Sequence, residues 1–158
     1  MTRLLMSIVL LVFTLCPALA SSNCPAEGEN HSALYPDATR FLEAIASEES
    51  HPASAKRLSG ITVPHHLVAG HLIARGFRAA SGFSYDRVIV LTPDHFSRSR
   101  TPFATTRHGF DTALGPVEVD NDAVQTLLVD ETVEESCLFE REHGLHALLP
   151  FLRRNLPD

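Results

Sequence analysis

The chain has 158 residues, 44% of them hydrophobic and 20% charged, with nine histidines, three cysteines and a formal net charge of −6. That length holds one domain rather than two, and the acidic balance argues against a nucleic-acid partner, which needs a basic stripe. No C-x-x-C occurs, which excludes a zinc ribbon or a thioredoxin-type motif.

The beginning reads as an export signal. Arg3 supplies a positive charge, Leu4 to Leu15 is almost wholly apolar, and Pro17-Ala18-Leu19-Ala20 ends in an A-x-A cleavage pattern. The apolar run is too short to span a bilayer, which takes roughly 20 residues. Residues 1–20 are therefore expected to be a signal peptide cleaved after Ala20, exporting the protein to the periplasm or the medium with no stable membrane anchor. An uncleaved N-terminal anchor is the alternative. Lipid attachment at Cys24 fits less well, because Asn23 stands where lipoprotein processing wants a small residue. Residues 21–33 are polar and predict a flexible lead-in. An oxidising compartment permits a Cys24–Cys137 disulfide, given suitable geometry.

Residues 34–158 are expected to form the folded domain. Asp37 to Glu48 predicts a helix with Phe41, Leu42 and Ile45 inward, started by Pro36. Ser50 to Ser59 is a linker, and Ile61-Thr62-Val63 is a short β-like run stopped by Pro64. Leu67 to Ala80 predicts a helix with Leu67, Ile73, Ala74 and Phe77 buried, ended by Gly82. Arg87-Val88-Ile89-Val90-Leu91 is the clearest strand, apolar as a strand covered on both faces should be. Strand, helix and strand in that order make a βαβ unit, which implies parallel pairing and a right-handed crossover. Phe103 to Thr106 and Val117 to Val119 read as weaker strands about a turn at Gly115-Pro116. Asp120-Asn121 caps a helix from Asp122 to Val129, and Glu131 to Ser136 reads as an acidic loop. The last helix runs from His143 to Asn155 with Leu145, Leu148, Leu149 and Leu152 inward, and Pro150 predicts a kink.

The histidines carry the chemistry. His65 follows the first β-like run, in Val63-Pro64-His65-His66, and His95 follows the second, in Leu91-Thr92-Pro93-Asp94-His95. Ligands of open α/β sheets bind beyond the carboxyl ends of the strands, so parallel neighbours would deliver both rings to one crevice. His143 opens the last helix in Glu142-His143-Gly144-Leu145-His146. Three imidazoles, or two with a carboxylate, suit iron, zinc or copper. Asp94 or Glu142 could be that carboxylate or could orient a histidine; His66 and His146 stand beside the same segments. Any one of these taken singly reads sooner as a capped or solvated polar residue than as a ligand; His65 and His95 together make the two readings even. His71 reads as solvent-facing or packed on its helix, and His31, His51 and His108 as loop residues. Nucleophilic chemistry has weaker support. There is no G-x-S-x-G elbow, Ser97 and Ser99 lie on no strand–turn–helix, and nothing lowers the pKa of Cys137 beside His143. Arg98, Arg100 and Arg107 form a local basic cluster, which is either a rim for an anion or a solvated loop.

Five segments in order resemble the Memo family, also called AmmeMemoRadiSam system protein B. They are Leu34-Tyr35-Pro36; Val63-Pro64-His65, like P-H-A-G-Y; Leu91 to His95, like L-G-P-S-H; Thr112 to Asp120, like T-P-L-G-x-V-x-V-D; and Glu142 to Leu152, like E-H-S-L-E-x-Q-L-P-F-L. The resemblance implies a class III extradiol dioxygenase-like α/β fold, three layers with a central largely parallel or mixed sheet. It also implies a metal pocket of histidines and a cysteine, which by position points to His65, His95 and His143. This sequence departs from the pattern. The alanine after the first histidine becomes His66, the pocket tyrosine is replaced, and the serine and glutamate of the last segment become Gly144 and His146. Family members run on beyond the position of Asp158, so a sheet truncated at its C-terminal side is expected, with an unpaired edge that invites self-association. The implied function is a metal-binding protein, with iron or copper and also zinc admissible, open to oxygen or redox chemistry on a small aromatic or peptide ligand. The alternative is a non-catalytic module for a peptide or anionic ligand in the same pocket.

Overall fold

In a computed structural model the structure describes residues 24–156. The expected signal peptide and the first residues of the expected lead-in lie outside these. The fold is α/β, four helices and a small parallel sheet. No helix among the described residues is long and apolar enough to cross a membrane.

Helix α1 (Thr39–Ser47) packs on α2 (Gly70–Ala80), and both pack on α4 (His143–Asn155). Phe41, Ile73, Ala74, Phe77, Leu148 and Phe151 form the main core, with the Phe41 and Phe151 rings 5.4 Å apart edge to face. Phe41, Ala44 and Ile45 have i, i+3, i+4 spacing and face this core. Leu42, expected inward, stands one residue off that stripe and is exposed. The first turn of the predicted second helix is a 3-10 turn, Leu67–Ala69. Helix α3 (Asn121–Leu127) starts where expected, because Asp120 accepts a hydrogen bond from the Ala123 N–H at 2.9 Å. Helix α4 runs through Pro150 without interruption, with that ring fully buried.

The strands differ from expectation. The two paired strands are β1 (Phe103–Thr105) and β2 (Val133–Glu135), parallel and in register from Phe103 opposite Val133 to Thr105 opposite Glu135. Helix α3 lies between them in sequence, so a β–α–β unit exists, but not the one predicted. The predicted acidic loop is strand β2: Glu134 and Glu135 turn their charges to Arg100 and Arg107 at 2.9 and 3.0 Å. Ile61 to Val63 and Arg87 to Leu91 join no ladder among the described residues. Val117 makes only an isolated bridge with Phe110. The two unpaired runs are held by side chains instead, since Val63 and Val90 both pack on the main core. Gly76 makes this contact feasible, because a Cβ there would collide with the Val63 side chain.

Beyond these runs lies an open cleft of about 1030 Å³, lined by Val88, Ile89, Leu91, Phe103, Leu127 and Leu149 among others. Ile89 and Leu91 are 75% and 82% exposed. No backbone-to-backbone hydrogen bond among the described residues involves Val88 to Leu91.

The described part of the lead-in is tied down rather than free. Cys24 and Cys137 form a disulfide with their Cα atoms 4.9 Å apart. His31 donates its N–H to the Gly109 carbonyl at 2.8 Å, and its own carbonyl accepts from Asp111 at 2.9 Å. The disulfide closes a loop with a sequence separation of 113 residues. Chain-entropy arguments give a loop of that size about 4–5 kcal/mol of stabilisation. Reduction should therefore lower the unfolding free energy by about 2–5 kcal/mol, read from denaturant titrations with and without reductant. Coincident titrations would contradict the staple.

Candidate metal centre

The site begins with two short segments that end at the same place. Val63 is fixed in the core and Pro64 stiffens the chain after it, which carries His65 to the head of helix α4. On the other side, Asp94 accepts hydrogen bonds from the N–H groups of Phe96, Arg98 and Ser99 at 3.1, 2.6 and 2.8 Å. These bonds, the one from Ser99 foremost, outweigh burial and hold the Asp94 carboxyl below its ordinary pKa. They wind residues 94–99 into a tight loop, with Ser97 in the left-handed region at φ 49°. Asp94 thus shapes the turn that presents His95.

Glu142 closes the arrangement from α4. It caps that helix by accepting from the Gly144 N–H at 3.1 Å. Its other oxygen accepts from the His95 backbone N–H at 3.0 Å, and Oε1 meets His95 Nδ1 at 2.6 Å. The carboxylate is only 1% exposed. Burial pushes its pKa upward, yet the hydrogen bonds from His95 and Gly144 win and hold it below the ordinary value. It is therefore ionised at neutral pH and accepts only. The proton between Glu142 and His95 belongs to His95 Nδ1, so a neutral His95 presents its Nε2 lone pair on the other side. That nitrogen lies 2.9 Å from His65 Nε2, so His65 donates to it when His95 is neutral. Gly144 permits this approach, since a Cβ there would meet His95 Cε1 at 3.0 Å and Glu142 Oε1 at 3.3 Å.

Two groups of donors, each with all its ligand atoms within 4.8 Å, could hold a metal ion: His65, His66 and His95, and His95, Glu142 and His143. His95 is common to both. The three histidines singled out by sequence are thus brought together, with the His65 and His143 ring centroids 4.7 and 4.1 Å from that of His95 and 6.4 Å from each other. Glu142 is a member as expected. His66 enters with its ring 4.4 Å from His65.

His146 is not brought to the cluster. It is buried, with Nε2 against the Phe139 carbonyl at 2.8 Å. His31, expected in a loop, is fully buried between Glu140 and Thr106, each 3.0 Å from a ring nitrogen. Sequence offered no signal for it, because its partners come from residues far along the chain. His71 is exposed on α2, as expected. Of the arginines, Arg100 and Arg107 are paired with Glu134 and Glu135, while Arg98 stacks over Phe96, whose ring is 6.0 Å from His143.

Three histidines are held below the usual imidazole pKa. Burial lowers His31 despite the hydrogen bond and charge of Glu140. Burial lowers His65, and His66, His95 and His143 add to the effect. Burial lowers His146 against the Phe139 carbonyl and the charges of Glu140 and Glu142. Each takes up its proton at higher pH when unfolded than when folded. The unfolded chain therefore binds more protons once the pH drops below about 6.5, and stability falls with it. The metal-free protein should show a steady thermal midpoint above about pH 7 and a lower one at about pH 5.5. A midpoint that holds or rises on acidification would contradict the buried neutral state of these rings.

The profile of the family described as Memo-like protein matches residues 28–158. A MEMO1 family protein of Pyrobaculum arsenaticum is 27% identical over 113 residues, covering 68% of this chain and 40% of the relative. One of Ignicoccus hospitalis is 29% identical over 143 residues, covering 87% of this chain and 50% of the relative. One from a Thermotoga species is 29% identical over 99 residues, covering 60% and 36%. The chain thus spans half or less of the length of these relatives. No solved structure gives a significant match. With the matched region taking in both unpaired runs, the 94–99 loop and the head of α4, the chain belongs to the family of Memo-like proteins.

Proposed function

We propose that this Memo-like protein binds iron or copper through His65, His95 and His143, with Glu142 orienting His95. The observation that carries the reading is the 2.6 Å contact from His95 Nδ1 to a buried, ionised carboxylate. A carboxylate on the far nitrogen is how a metal-binding imidazole is fixed in tautomer and direction. The chemistry of the donors fits: imidazoles beside a carboxylate, partly open to solvent and with His95 common to both donor groups, suit iron, copper or zinc. His65 would shift its proton from Nε2 to Nδ1 to offer a lone pair. Iron or copper held there would supply oxygen or redox chemistry on a small aromatic or peptide ligand. Export through residues 1–20 belongs to the same reading, and the Cys24–Cys137 disulfide supports it, because such bonds persist in oxidising compartments.

A second reading is a binding module without catalysis. The apolar cleft favours it, since the free backbone of Val88 to Leu91 suits an added peptide strand or a second copy of the chain. An anionic ligand at the histidines would have Arg98, stacked on Phe96 beside His143, at its rim.

Elemental analysis of the purified protein decides between them. Near-stoichiometric iron or copper is expected, and its loss in the double variant His65→Ala/His95→Ala. Glu142→Gln should weaken metal affinity by about 10–100-fold, measured by competition with a chelator of known affinity. A folded wild-type protein that takes up none of these ions would overturn the metal reading.

A further inference from the structure

The Cys24–Cys137 disulfide lies one short turn away from the candidate metal centre. Cys137 heads the 3-10 turn Leu138–Arg141, and Glu142, which ends that turn, caps α4 and holds His95. The turn is weakly tied within itself. The Cys137 carbonyl accepts from the Glu140 N–H at 3.3 Å, and the Phe139 carbonyl accepts from the Glu142 N–H at 3.4 Å, both long for such bonds. Its position therefore depends on what grips it from outside.

The lead-in supplies that grip at two points. At one end His31, fully buried, meets Glu140 and Thr106 at 3.0 Å each and pairs its backbone with Gly109 and Asp111. At the other end Cys24 is bonded to Cys137. Between them the contacts are exposed polar ones, from Asn30 to Asp111 and from His108 to the Glu29 carbonyl, at 2.9 Å each. Water competes for these, so they hold weakly. The disulfide is thus the strap's firm hold on the head of the turn. The buried Leu138 and the packing of Phe139 against Phe110, Leu145 and Leu149 remain when that bond opens. The turn then loosens rather than unfolds, and Glu142 loosens with it.

We infer that the Cys24–Cys137 bond gates the metal centre: the oxidised chain holds its metal firmly and the dithiol chain holds it weakly. This rests on the metal-centre reading above and adds a control to it. On closure the two thiols become one disulfide, and two electrons and two protons pass to a disulfide oxidant, which leaves as a dithiol. Cys24 is exposed and Cys137 half-buried, so such a reagent reaches the bond from solvent. Compartments that keep thiols reduced leave the gate open, and oxidising ones close it. Together with the proposed export, this makes the chain load its metal after it has crossed the membrane.

The test compares three forms of the full chain: oxidised wild type, wild type reduced and then alkylated with iodoacetamide, and Cys24→Ser/Cys137→Ser. Zinc affinity is read by chelator competition, since zinc itself is not reduced by thiols. Amide exchange of the metal-free forms is followed by NMR. Both opened forms should bind zinc at least about tenfold more weakly, as when the group orienting a ligand is disturbed. Exchange at the His95 and Gly144 N–H groups, which Glu142 accepts, should rise by more than at Ile73, Ala74 and Phe77 in α2, which report global unfolding. Equal zinc affinity in all three forms would overturn the gate and leave the metal reading standing. An equal rise in exchange at both places, or opened forms that do not fold, would make the disulfide a general staple and overturn the gate as well. Uptake of no metal by the oxidised wild type would overturn the metal reading and the gate with it.

Discussion

The carboxylate of Glu142 is the constraint on which the site depends. A buried ionised group is tolerable only when its oxygens are fully engaged. Here the first turn of α4 supplies one N–H through Gly144, and the 94–99 loop supplies the backbone and ring N–H groups of His95. The positive end of the α4 dipole adds to the same effect. One side chain therefore clamps a helix start to a loop and sets which nitrogen of His95 carries the proton. Removing it would leave three donors unpaired in a nearly dry place, which is why helix, loop and imidazole stand or fall together.

Around this clamp, packing rather than sheet pairing delivers the other rings. Residues 61–63 and 87–91 reach the site without a ladder between them because Val63 and Val90 are pinned in the core beneath. The same arrangement leaves the far side of residues 88–91 facing an open apolar cleft with its backbone groups unspent. An unpaired extended run with exposed Ile89 and Leu91 is a natural edge for another strand. The matched part of this chain covers half or less of each relative, so the cleft and the histidine cluster occupy a fold whose family members carry further polypeptide.

Much of this was legible in the sequence, and the failures have physical causes. Helical periodicity found α1, α2 and α4, because a buried stripe repeats every three to four residues whatever the partner. The motifs around His65, His95 and His143 marked three rings of the cluster, and the strand-end argument brought His65 and His95 together although neither run joins a ladder. Strand β2 was read as loop because its glutamates are answered by arginines some thirty residues away, which no local pattern displays. His31 and His146 were misplaced for a similar reason: their partners are a carboxylate, a hydroxyl and a carbonyl fixed by tertiary packing. His66, expected at the pocket beside His65, falls in one donor group with His65 and His95.

The account turns on the state of His95, and nitrogen-15 NMR of the histidine side chains in the metal-free protein reads it directly. The neutral His95 ring should carry its proton on Nδ1, and should lose that preference in Glu142→Gln. A His95 protonated on Nε2, or indifferent to Glu142, would mean that the buried carboxylate does not prepare this ring for a metal, and the account would fail at its base.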